Sequence, residues 1–90
     1  MRPRIDWMTR SDDRVLEFLA EKEILASASV IAINIDYNPS YISRRCRKLA
    51  DVGLLERVDK SHYGLTDLGE RYLSGEIDPD KLEIDDDEES

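Results

Sequence analysis

Ninety residues allow one modest hydrophobic core and exclude a large two-domain enzyme. The chain has 13 Lys and Arg against 21 Asp and Glu, a formal net charge of −8, which taken alone argues against a nucleic-acid partner. It has no apolar run long enough to span a bilayer, and Met1 to Arg10 is polar, without the apolar stretch of a signal peptide.

The first helix is expected to start at Thr9, an N-cap residue followed by Asp12 and Asp13 in the first turn, where acids are favoured. Val15, Leu16, Phe18 and Leu19 give it an apolar face as far as about Lys22. Ile24 and Leu25 read as a short extended entry to a second helix, Ala28 to Ile35, capped by Ser27. Ala28, Ile31, Ala32 and Ile35 follow i, i+3, i+4, i+7 spacing and are expected to face the core. Asp36 and Tyr37 make a tight break. Asn38 then caps a third helix with Pro39 at its first position, where the missing N–H costs nothing. This helix is expected to run to about Val52, with Gly53 as the left-handed residue that ends it. Its apolar stripe is Ile42, Cys46, Leu49 and Ala50.

After Gly53 the periodicity changes. Residues 54–58 read as a strand, 59–61 as a turn and 62–65 as a returning strand. Thr66 can cap a last helix whose apolar positions are Leu68, Tyr72 and Leu73. The fold class is therefore α+β, mainly α: a winged helix-turn-helix with a three-helix core, a β-hairpin wing and a C-terminal helix. The domain is expected over residues 9–75, after an N-terminal extension at 1–8.

Charge is distributed unevenly. Residues 76–90 hold nine acids and one base, whereas residues 1–75 hold twelve of each. The acidic segment reads as a solvated, disordered tail, with Leu82 and Ile84 able to pin its first part; its plainer role is solubility. Nine Arg against four Lys, with a strongly acidic total, suits a halophilic cytoplasm, and a single cysteine fits a reducing compartment.

Within the neutral body, Asn38 to Lys48 contains Arg44, Arg45, Arg47 and Lys48 and no acid. At 100° per residue, Ile42, Cys46, Leu49 and Ala50 fall together, and the opposite side carries Ser40, Arg44, Arg47 and Lys48, with Tyr41 and Ser43 at its edges. That composition suits a recognition helix over residues 39–52 reading double-stranded DNA. Arginine can address guanine bidentately, while hydroxyls and lysine hold phosphates. Ser40, Tyr41, Ser43, Arg44 and Arg47 are the expected groove contacts, and Arg45 and Lys48 the expected backbone contacts. The plainer alternative is that these bases only balance an acidic surface.

The hairpin adds Arg57, Lys60, Ser61 and His62, within a wing at residues 57–63 whose tip would lie near the minor groove or phosphates. Glu56 and Asp59 dilute that patch, so a solvent-exposed turn is an equal alternative. Arg10 and Arg14, at the start of the first helix, are placed to touch phosphate, but ordinary helix-surface pairing is the preferred reading. His62 reads as a surface residue and Cys46 as a small core side chain. No metal-ligand set, catalytic triad, phosphate-cradling glycine loop or convergent polar pocket is visible. No cofactor or small-molecule effector is therefore expected, and an enzyme is not.

The run from Ser40 to Leu49, followed by Ala50-Asp51-Val52-Gly53-Leu54-Leu55, resembles the recognition helix and Gly-Leu-Leu exit of prokaryotic winged-helix regulators. The segment from Tyr63 to Leu73 is similar to their Y-x-L-T-x-x-G-x-x-Y-L signature. With Trp7-Met8-Thr9 and the Asp12-to-Leu19 helix, residues 7–75 most resemble haloarchaeal phage phi-H repressor-like proteins. The resemblance implies a small transcriptional repressor that binds operator DNA, read here as a homodimer. The alternative is a winged-helix interaction adaptor that binds no DNA. It would use the acidic tail or Val30 and Ile33, two apolar residues on the second helix's far side.

Overall fold

The structure, a computed structural model, describes residues 5–77. The first helix, α1, spans Arg10–Lys22. It starts where the Asp12 backbone N–H donates to Thr9 Oγ1 (3.4 Å) and the Thr9 N–H donates to the Asp12 carboxylate (3.0 Å), a reciprocal capping box. Its buried face is Val15, Leu16, Phe18 and Leu19, as the spacing predicts. Glu23 ends it in the left-handed region, at φ 54°.

The extended entry continues into a two-residue strand, β1 (Ala26–Ser27). Ser27 also caps α2 (Ala28–Ile35), accepting from the Val30 N–H at 3.2 Å. Ile31, Ala32 and Ile35 are buried and Ala28 is half-buried. Asp36 closes α2 in the left-handed region, at φ 67°. Asn38 then caps α3 (Pro39–Asp51), accepting from the Tyr41 N–H at 3.1 Å. Ile42, Cys46 and Leu49 are fully buried against α1 and α2. Burial pushes the Cys46 thiol up to about 12, helped by the negative charge of Asp12, so Cys46 is an inert core side chain.

Gly53, at φ 90°, turns the chain out of α3. The hairpin follows as β2 (Leu55–Arg57) and β3 (His62–Leu65), paired antiparallel with Arg57 opposite Tyr63. The sheet has a third strand that the hydrophobic pattern does not reveal. β1 pairs with β3 on the edge away from β2, giving the order β1-β3-β2. A two-residue strand has too few alternations to show period two in a sequence. Thr66 caps α4 (Asp67–Ser74). Its hydroxyl donates to the Gly53 carbonyl (2.6 Å), lies 3.0 Å from the Leu54 carbonyl and accepts from the Gly69 N–H at 3.1 Å. One side chain thus ties the last helix to the exit of α3.

The core extends past both expected domain edges. Ile5 and Ile77 are buried in it, and Trp7 and Met8 pack against it. Leu82, Ile84 and most of the acidic tail lie outside the described residues.

The spacing Thr66-x-x-Gly69 has a steric cause. A Cβ on Gly69 would sit 2.5 Å from both the Leu54 carbonyl oxygen and Leu65 Cδ1. A Cβ on Gly64 would meet only the tip of Leu25, an exposed side chain free to move. Gly69→Ala is therefore expected to cost about 1–3 kcal/mol and Gly64→Ala clearly less, read from urea unfolding midpoints.

Candidate nucleic-acid interface

The face that α3 presents is set by an ion pair on its flank. Arg45 Nε donates to Asp12 Oδ1 (2.8 Å) and Arg45 Nη2 to Asp12 Oδ2 (2.5 Å), while Nη2 also reaches the Trp7 carbonyl at 3.1 Å. The Asp12 side chain is completely buried, while that of Arg45 keeps 17% of its surface exposed. Arg45 is an expected contact to the DNA backbone, and the structure places it in this ion pair. Its guanidinium is consumed by a carboxylate of the same chain, because α1 delivers the buried charge of Asp12 to the same height on α3. A buried carboxylate is tolerated only when paired in this way.

The pairing leaves Ser40, Arg44 and Arg47 exposed along α3, with Ser43 half-buried beside them. Arg44 lies over the Tyr41 ring at 6.0 Å, and the Tyr37 ring is 6.3 Å from that of Tyr41. Tyr41 also bridges to α1. Ser11 Oγ donates to the Tyr41 hydroxyl at 3.0 Å, and Thr9 Oγ1 lies at 3.5 Å. These two hydroxyls, Ser11 first, hold the Tyr41 phenol below its ordinary pKa. At the other end of α3, the Lys48 ammonium sits 5.5 Å from the centre of the Trp7 ring, a cation–π contact that leaves it half-buried. Ser40, Tyr41, Ser43, Arg44, Arg47 and Lys48 thus share one side of α3, and Arg45 lies on its flank against Asp12.

The expected wing residues are gathered in a turn that largely satisfies itself. The Asp59 carboxylate accepts from the backbone N–H groups of Ser61 (2.8 Å) and His62 (3.0 Å), and lies 3.0 Å from His62 Nδ1. Those contacts, the Ser61 N–H first and the His62 side chain next, lower the Asp59 carboxyl to about 2. Arg57 donates to the Lys60 carbonyl (2.7 Å) and lies over the Tyr63 ring at 6.0 Å. Lys60 and Ser61 are exposed and His62 is half-buried. Arg57, Lys60, Ser61 and His62 are close in space, but Arg57 and His62 spend polar atoms on the turn itself.

The sequence matches the winged helix-turn-helix phage repressor family over residues 1–85. The chain belongs to that family. This makes it a DNA-binding regulator of the repressor class. It is 45% identical to the repressor protein of Halobacterium phage phiH over 87 residues, covering 92% of this chain and 98% of that protein. Among solved structures, this family member is similar to the PhiH1 repressor-like protein from Haloarcula marismortui. The TM-score is 0.80 and the identity 40%, over 88% of this chain and 91% of that one. Both relatives have haloarchaeal sources, in accord with the acid-rich, lysine-poor composition. No helix among the described residues is long and apolar enough to cross a membrane.

Sequence reasoning misses the parts played by Trp7, Ser11 and Asp12 in building this face. The one legible signal is Asp12 three residues after the Thr9 cap; its partner on α3 is thirty-three residues away. Asp12→Ala is expected to destabilise the fold by roughly 3 kcal/mol or more, because Arg45 is left without its counter-charge; a urea midpoint equal to wild type would contradict this. At the hairpin, Asp59 titrates below the ordinary carboxylate value, so its contribution to stability is present above pH 4 or so and disappears as pH falls through about 2. A carboxyl-carbon NMR titration should give Asp59 a midpoint near 2.

Proposed function

We propose that the protein represses transcription by binding a specific operator, as a homodimer, with α3 laid in the major groove of each half-site. One observation carries this reading: Ser40, Arg44 and Arg47 stand exposed on a helix whose opposite side is buried and whose flank is locked by the Asp12–Arg45 pair. Arg44 and Arg47 address base edges, with Ser40 and Ser43 beside them, and Lys48 meets the backbone. The wing residues Arg57, Lys60, Ser61 and His62 lie against phosphates or the adjacent minor groove. A module this small covers limited DNA surface, which favours two copies on a pseudo-palindromic site with half-sites about 34 Å apart. The protein acts where its DNA is, in the cytoplasm.

A second reading rests on α2. Val30 and Ile33 are 44% and 74% exposed on a helix that carries no charged residue. In that reading, this surface binds a protein partner and the domain is an adaptor. Capture of a stable protein partner, with no duplex retarded at any salt concentration, would favour it.

The deciding experiment is selection of bound duplexes from a random pool, followed by gel-shift titration of the selected site. Replacing both Arg44 and Arg47 by Ala should weaken specific binding by roughly 1–3 kcal/mol for each bidentate arginine–base pairing removed. Unchanged affinity in the double variant would remove α3 as the reading element.

A further inference from the structure

The cationic surface does not end at α3. Arg10 and Arg14 are exposed on α1, one turn apart on the same side of the helix. Their sequence context favours ordinary surface pairing over phosphate contact for both. Neither makes an ion pair among the described residues, although Glu17 and Glu21 line the same shallow depression as Arg14. In a body with as many acids as bases, two exposed arginines a turn apart and without such partners are a feature to explain.

Their position relative to α3 is fixed by hydroxyls. Ser11, between them in sequence and itself buried, holds the Tyr41 hydroxyl at 3.0 Å, and Thr9 Oγ1 is 2.7 Å from Ser11 Oγ. The first turn of α1 is therefore tied to the first turn of α3, beside Ser40 and next to Arg44, whose guanidinium lies over the Tyr41 ring. Because Ser11 donates to the phenolic oxygen, the phenol keeps its own proton for another acceptor. Arg10, Arg14 and the Tyr41 hydroxyl thus extend the basic face sideways from α3 onto α1.

We infer that Arg10 and Arg14, with the Tyr41 hydroxyl between them and α3, form a phosphate-contacting strip that grips the DNA backbone flanking the groove entered by α3. The inference rests on the reading of α3 as the DNA-binding element and adds a second function class to the surface, since α3 selects sequence and α1 supplies sequence-independent grip. Phosphate contacts position a protein without distinguishing bases, and each one neutralised contributes about 0.9 to the slope of log affinity against log salt.

The test compares wild type with Arg10→Gln/Arg14→Gln on the selected operator and on an unrelated duplex, across a salt series. The expected result is a salt slope shallower by about 1.8 for each bound protomer, about 3.6 for the dimer, with affinity for both duplexes falling by the same factor, so that their ratio is unchanged. Tyr41→Phe should lower both affinities in the same parallel way. Thermal unfolding of the arginine variant should match wild type, because both side chains are exposed and form no ion pair within the described domain. An unaltered slope beside normal wild-type binding would overturn the strip alone. A fall in the operator-to-unrelated ratio would overturn it in favour of base reading by α1. Failure of wild type to bind any duplex would overturn the reading of α3 and the strip with it.

Discussion

The orientation of α3 depends on one buried carboxylate. Asp12 closes the capping box that starts α1 and, with both oxygens, receives the two parallel N–H bonds of Arg45 from the middle of α3. Apolar packing of Ile42, Cys46 and Leu49 against α1 and α2 supplies burial energy, but it tolerates some rotation of a helix about its own axis. A bidentate guanidinium–carboxylate pair is far less forgiving in angle. The exposed line of Ser40, Arg44 and Arg47 is therefore as much a consequence of Asp12 as of the third helix's own sequence.

Four further contacts brace the same helix from the N-terminal side. Trp7 offers its carbonyl to Arg45 and its ring to Lys48, and the hydroxyls of Ser11 and Thr9 hold Tyr41. The residues just before and within the first turn of α1 thus line one flank of α3 from Tyr41 to Lys48. Basic residues on α3 fall into two physical kinds. Arg45 and Lys48 are engaged with α1 and the segment before it, whereas Arg44 and Arg47 project into solvent. Net charge is silent on this distinction, since every base in Asn38 to Lys48 counts equally toward it.

The other end of the domain is organised around Thr66. Its hydroxyl links the Gly53 and Leu54 carbonyls to the start of α4, and Gly69 lets α4 approach the Leu54 carbonyl without a Cβ in the way. The recurring Leu-Thr-x-x-Gly pattern is thereby a packing motif joining the exit of α3, the hairpin and the last helix. Such a motif makes the fold recognisable from a short signature, and the same signature says little about which DNA is read. The hairpin turn follows similar logic, with Asp59 drawing the Ser61 and His62 N–H groups inward and fixing the turn before any partner is considered.

The helices, their caps and the hairpin are legible in the amino-acid order alone, because they rest on local rules. Thr9, Ser27, Asn38 and Thr66 each bond to an N–H three residues ahead, and the apolar spacing of 3.6 marks each buried face. The cationic character of α3 is legible for the same reason, since one helix turn relates its residues. Which of those cations remain available is settled by the assembled fold. Arg45 is indistinguishable from its neighbours until α1 brings Asp12 beside it, and the sequence favours surface pairing over phosphate contact for Arg10 and Arg14 although no carboxylate of the described domain pairs with them. The pairing of β1 with β3, and the burial of Ile5 and Ile77, are hidden likewise. Each is a relation between residues distant in the chain, and periodicity along a single element carries no information about what another element places against it.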